Sequence, residues 1–168
     1  SFPTRRSSDL GIHNHLIEKA KEDGVDTIVT CDNGISAADQ IAFAKKMGMT
    51  VVVTDHHEVP FEDTEEGRKY KLPLADAIIN PKQSDCTYPN KNICGAVVAM
   101  KLVFALYEKY GIPESEKEDY LEPAAIATVG DIMDLQGENR ILVKEGMKRF
   151  IHTPIKGLAA LLKASGIV

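Results

Sequence analysis

Four residues raise the question of chemistry: Asp32 in VTCDNGIS, and Asp55, His56 and His57 in VVVTDHHEVP. Carboxylate oxygens and neutral imidazoles gathered in one place make a donor set for manganese, and also for iron or zinc, rather than for calcium. Two adjacent histidines on an extended backbone point in different directions, so one is expected to ligate a metal while the other faces substrate. Phosphoryl chemistry uses such a division. Each piece alone has a plainer explanation. A DHH tripeptide is more often a solvated loop, and an aspartate before Asn33-Gly34 is often only a turn residue.

Position in the chain changes that balance. VDTIVT (25–30) and TVVVT (50–54) are short β-branched runs, the second continuous as a strand buried on both faces should be. Between them the spacing predicts a helix from a Ser36 cap through Met47, with Ala37, Ile41, Ala44 and Met47 as its apolar face. Strand, helix and strand within about 30 residues form a βαβ unit with parallel strands and a right-handed crossover. Asp32 then follows one strand and Asp55-His56-His57 the next, at the sheet end where open α/β sheets bind ligands. Neighbouring strand ends lie roughly 5 to 10 Å apart, so Asp32 and His56 can share a metal. Cys31 is expected to point away from Asp32 across the pleat.

The rest of the chain supplies the frame. NHLIEKAKE (14–22) reads as a helix stopped near Gly24, and ADAIIN (75–80) as a third strand ended by Pro81. FEDTEEGRKYKLP between the second and third strands is charged and has no apolar stripe, so a surface loop or short helix is expected. Helices are expected over 95–110 and near 120–128, 140–150 and 155–164. The fold class is α/β: a parallel sheet flanked by helices, followed by a mostly helical region.

Bulk composition bounds the function only loosely. The 168 residues are 43% apolar and 27% charged, ordinary values for a folded soluble chain, and the net charge of −5 gives no global pull toward nucleic acid. Cys31, Cys86 and Cys94 have neither disulfide parity nor zinc-knuckle spacing, which fits a reducing cytoplasm. No apolar run approaches a membrane span. SFPTRRSSDL (1–10) lacks the patterning of the remaining chain, and read back into codons it matches a common sequencing-adapter sequence. It is expected to be foreign to the natural protein.

Four stretches, in order and spacing, resemble one family: VTCDNGIS, VVVTDHHEVP, INPKQSDCTYPNKNICGAVVAMKL and IATVGDIMDLQGENRILVKEGMKR. They are similar to the DHH phosphoesterases, and within these to the RecJ-type exonucleases specific for single-stranded DNA. The resemblance runs from about Gly11 to the C-terminus. It implies two divalent metals, Mn2+ or Mg2+, that activate a water against a phosphodiester. Carried over, Asp32 is the aspartate that bridges the metals, His56 a ligand histidine and Asp131 the late aspartate that completes one metal site. His57 faces the scissile phosphate, and Asp55 orients His56 by hydrogen bonding. Asn139, Arg140 and Gly95 are carried over as weaker candidates for substrate contact. For Gly95, helix-start packing explains the residue at least as well.

The chain also departs from the family pattern. An aspartate-rich DxDxDG segment that supplies further ligands is absent, since SFPTRRSSDL stands where it should lie. The expected organisation is therefore a partial catalytic domain over 11–135 and a helical region over 136–168. The latter leads toward a nucleic-acid-binding domain beyond the chain. The implied activity is 5′ to 3′ exonuclease action on single-stranded DNA in recombination and repair, with a single-strand-binding protein and a helicase as partners. The 168-residue chain itself is expected to be inactive or nearly so. Competing readings are a phosphodiesterase of short oligoribonucleotides or cyclic dinucleotides, a manganese-dependent pyrophosphatase, and a non-catalytic binding or scaffold relative.

Overall fold

A computed structural model of the protein describes residues 11–167. The adapter-like segment 1–10 lies outside the described residues. Two compact units make up the chain, one ending at Pro89 and the other beginning at Asn90. The boundary therefore precedes the end of the 11–135 span expected for the catalytic part.

In the first unit, β1 (Thr27–Val29), β2 (Thr50–Thr54) and β5 (Ala77–Ile79) form a parallel sheet in the order β1-β2-β5. Register pairs Thr27 with Thr50 and Val29 with Val52 on one side of β2, and Val52 with Ala77 on the other. The continuous apolar run of β2 is explained by this central place. Val51 and Val53 are buried in the core while Val52 is half-buried on the opposite face. Helices α1 (Asn14–Glu22) and α2 (Ala38–Lys46) cover the core face, where Ile17, Ile41 and Ala44 pack with Met49, Val51 and Val53. Lys45 of α2 and the Val51 N–H both bond the Asp76 carboxylate at 2.7 Å, which fixes the start of β5 against its neighbours.

Two local expectations are corrected. Ser36 does not cap α2: the residue at the cap is Ala37, and no side chain bonds the first turn. The charged stretch expected as loop or short helix is instead an antiparallel hairpin, β3 (Phe61–Thr64) with β4 (Gly67–Tyr70). Its faces are exposed, so it lacks the hydrophobic alternation that marks a half-buried strand. Pairing comes from cross-strand chemistry instead. Glu62 stands opposite Lys69, Asp63 opposite Arg68 and Phe61 opposite Tyr70, and Gly67 takes the positive φ of the turn.

The second unit is helical: α3 (Gly95–Tyr110), α4 (Leu121–Gly130), α5 (Gly137–Arg149) and α6 (Lys156–Ala164), with 3-10 turns over Glu114–Tyr120 and Phe150–His152. Helices α4 and α5 approach closely at Gly146. A Cβ there would lie 2.5 Å from both the Ala125 Cβ and the Leu121 carbonyl oxygen, so only glycine fits. No helix among the described residues is long and apolar enough to cross a membrane.

Candidate metal centre

The parallel ladder between β1 and β2 continues past the strands themselves. Thr30 N–H bonds the Val52 carbonyl at 2.9 Å and Asp32 N–H bonds the Thr54 carbonyl at 3.0 Å. Asp32 then turns into the left-handed region, φ 63, a conformation that aspartate tolerates better than most residues. The turn swings its carboxylate toward β2, where Oδ1 lies 3.0 Å from His56 Nε2. It also breaks the pleat, so the alternation expected to send Cys31 away does not hold there. Cys31 lines the same cavity as Asp32.

Asp55 organises the other side. Its side chain is 1% exposed. One carboxylate oxygen accepts the Ile35 N–H at 2.9 Å, while the other accepts the N–H groups of His56 at 2.8 Å and His57 at 3.2 Å. The same oxygen lies 2.7 Å from His57 Nδ1. Burial pushes the Asp55 carboxyl upward, but the bonds from Ile35, the His57 ring and the two histidine N–H groups outweigh it and hold the pKa below the ordinary value. An ionised carboxylate only accepts, so His57 Nδ1 carries the proton and Nε2 is the atom left to face outward. Asp55 thus reaches His56 through its backbone, and the ring that it orients is that of His57. The expected hydrogen bond between Asp55 and His56 is present, made through the His56 N–H, and the same carboxylate also holds the His57 ring.

Nor do the two histidines diverge as an extended backbone would require. The strand ends at Thr54, and the chain bends at His57 around the Asp55 carboxylate. The rings meet edge to face with centroids 4.6 Å apart. Asp32, His56 and His57 each offer a ligand atom, all within 4.8 Å of one another. One carboxylate oxygen and two imidazole nitrogens at this separation fit a divalent cation of the manganese, iron or zinc type. Asp32, Asp55 and His57 line a cavity of about 720 Å3 together with Asn33, Gly34, Ser36 and Gln40.

The DHH family, N-terminal domain, matches residues 3–128. The chain belongs to the DHH family. Among characterised relatives, the single-stranded-DNA-specific exonuclease RecJ of Bacillus subtilis is 37% identical over 165 residues, covering 98% of this chain and 19% of its own length. RecJ of Escherichia coli is 35% identical over 173 residues, 97% of this chain and 28% of its own length. A crystal structure of exonuclease RecJ bound to manganese has a TM-score of 0.76 at 30% identity, over 93% of this chain and 37% of that one. RecJ from Thermus thermophilus in complex with Mn2+ gives 0.68 at 31% identity, over 88% and 21%. The chain therefore spans between 19% and 28% of the length of the curated RecJ relatives it matches.

The remaining DHH-family candidates lie in the second unit. Asp131 is exposed and closes α4, its N–H on the Ala127 carbonyl at 2.9 Å, just before Ile132 at φ 55. Gly95 is buried as the first residue of α3, and Arg140 is exposed on the first turn of α5. Asn139 is 2% exposed. Its amide donates to the Asn92 and Asp134 carbonyls at 2.7 and 3.0 Å, and its oxygen accepts from Asn90 at 3.3 Å. Those bonds tie together the loops that precede α3 and α5.

Sequence reasoning passed over two groups that position the site. Thr30 and Thr54 exchange hydrogen bonds where β1 and β2 end. Asn80, 2% exposed, donates to the His57 carbonyl at 3.0 Å and accepts the Lys82 N–H at 2.8 Å. Their signal was faint but present: a threonine closing each strand, and an asparagine before Pro81 at the end of the third.

Proposed function

We propose that this chain is the catalytic portion of a metal-dependent phosphodiesterase whose parent protein degrades single-stranded DNA from the 5′ end, in recombination and repair. The observation that carries the reading is the convergence of the Asp32, His56 and His57 ligand atoms within 4.8 Å of one another. Similarity to RecJ exonucleases supports the substrate class. Asp32 and His56 would hold Mn2+ or Mg2+, with Asp32 shared by two ions and Asp131 as the further ligand implied by the family resemblance. Bound ions of this kind lower the pKa of a water and neutralise charge that builds on the phosphate.

The chain's own residues supply the rest. Asp55 holds the proton of His57 at Nδ1 and so fixes the ring plane. His57, its ring plane fixed by Asp55, presents Nε2 toward the phosphate that is to be cleaved. The half-exposed Asp32 carboxylate keeps one side of the cavity anionic and so favours cations over free phosphate. Arg140 contacts the DNA backbone. The catalytic part spans 11–135 and the region from 136 connects it to a nucleic-acid-binding domain elsewhere in the parent. A single-strand-binding protein and a helicase are its partners, in the cytoplasm. Alone, the 168-residue chain is inactive or nearly so.

The test uses the parent protein with Mn2+ on a long single strand labelled at either end, a dinucleotide and a cyclic dinucleotide. Loss of the long strand from its 5′ end is expected, with His57→Ala lowering kcat by about 100-fold or more while leaving Mn2+ affinity nearly unchanged. Faster cleavage of either dinucleotide would instead assign the small-substrate activity.

A further inference from the structure

The left-handed φ of Asp32 persists only because its surroundings over-determine it. Much of that constraint is one hydroxyl. Thr30 Oγ1 donates to the Asn33 carbonyl at 2.7 Å and accepts the Thr54 N–H at 3.2 Å. It thereby bridges the last residue before the turn to a residue beyond Asp32, and anchors both to β2. Thr54 completes the lock, its hydroxyl donating to the Thr30 carbonyl at 2.6 Å and its own carbonyl accepting the Asp32 N–H. Both threonines are buried, at 5% and 0% exposure.

Packing points to the same hydroxyl independently. Gly34 has φ 111, and a Cβ there would stand 3.0 Å from Thr30 Oγ1 and 3.2 Å from Val53 Cγ1. The turn is pressed down onto Thr30 with no room for a side chain. Across it, Ile35 N–H is held by Asp55. The turn carrying Asp32 is thus pinned at its near end by Thr30 and at its far end by the carboxylate that also orients His57.

We infer that Thr30 is a positioning residue: its hydroxyl holds residues 31–34 in the conformation that aims the Asp32 carboxylate at His56, and so sets metal affinity without touching the metal. The inference rests on the reading of Asp32 and His56 as metal ligands. Valine preserves the shape and β-branching of Thr30 but removes both hydrogen bonds, whereas serine retains the hydroxyl.

The experiment compares the 168-residue chain with Thr30→Val and Thr30→Ser at a temperature where all three are folded. Mn2+ binding is measured calorimetrically, and backbone amide exchange is measured by NMR without metal. Thr30→Val is expected to bind Mn2+ about tenfold or more weakly, with Asp32 and its neighbours exchanging faster, and Thr30→Ser to stay within about twofold of the unsubstituted chain. Unchanged Mn2+ affinity in Thr30→Val overturns the inference and leaves the metal reading intact. If the unsubstituted chain binds no Mn2+, the metal reading fails for this chain and exchange decides the tether: acceleration confined to the turn sustains it, and unchanged exchange overturns it. Should Thr30→Val not fold, Thr30→Cys, of similar size with a weaker donor, takes its place under the same criteria.

Discussion

At the scale of single residues, Asp55 is where burial and hydrogen bonding oppose each other most directly. Its two oxygens face four donors, three on one oxygen and the Ile35 N–H on the other. Asparagine has the same shape but a single acceptor oxygen. Whichever way its amide turns, an NH2 group faces a donor, and at least one buried N–H loses its partner. Asp55→Asn is therefore expected to destabilise the fold by about 1–3 kcal/mol. It should also release the His57 ring, since the amide no longer demands a proton on Nδ1. Chemical denaturation gives the first quantity, and the ring nitrogen shifts of His57 report the second. A variant as stable as the unsubstituted chain, with unaltered shifts, would show that the carboxylate is not the organiser. The four chemistry-bearing residues were visible in the sequence because their types and strand-end placement are local facts. That the same carboxylate also takes the His57 ring was not visible: it depends on the chain bending at His57, and no periodicity records a bend.

Among the elements, Asp76 gives a test of how β5 is held. Its pKa lies below the ordinary carboxylate value because of the Lys45 ammonium and, next, the Val51 N–H. A carboxyl whose folded pKa is depressed stabilises the fold above its unfolded pKa, near 3.9 for aspartate, and that contribution fades as pH falls through the lower folded pKa. Asp76→Asn is thus expected to lower the urea midpoint at pH 7, with the difference from the unsubstituted chain shrinking toward pH 3. Because the pair is partly exposed, added salt should narrow the gap at pH 7 as well. A pH-independent difference would assign the effect to the Val51 hydrogen bond alone. The parallel strands and the six α-helices were legible, since buried runs and 3.6-residue stripes are hydrophobic signals. The β3–β4 hairpin was not, because the charge pairs Asp63–Arg68 and Glu62–Lys71 join its strands without burying either face.

For the whole molecule, the decisive property is that all three clustered donors belong to the first compact unit, on a single strand–helix–strand segment and its exit. Metal binding to a folded site and not to the unfolded chain stabilises by mass action, about 2.7 kcal/mol when free metal is a hundred times its dissociation constant. Mn2+ is therefore expected to raise the melting temperature of the 168-residue chain, and a chelator to reverse the rise. Asp32→Asn and His56→Ala should each abolish the shift. His57→Ala should retain most of it, because that ring is assigned to phosphate and its Nδ1 is already bonded to Asp55. Asp131→Asn reads the contribution of the second unit: a reduced shift supports the ligand role carried over from the family, while an unchanged one removes Asp131 from the set. The same series separates binding from turnover. A chain that gains stability from Mn2+ through Asp32 and His56 and yet hydrolyses no single-stranded DNA would hold part of a metal centre without a working one. Manganese-dependent hydrolysis by the chain alone would overturn its proposed inactivity and place every essential group within these 168 residues.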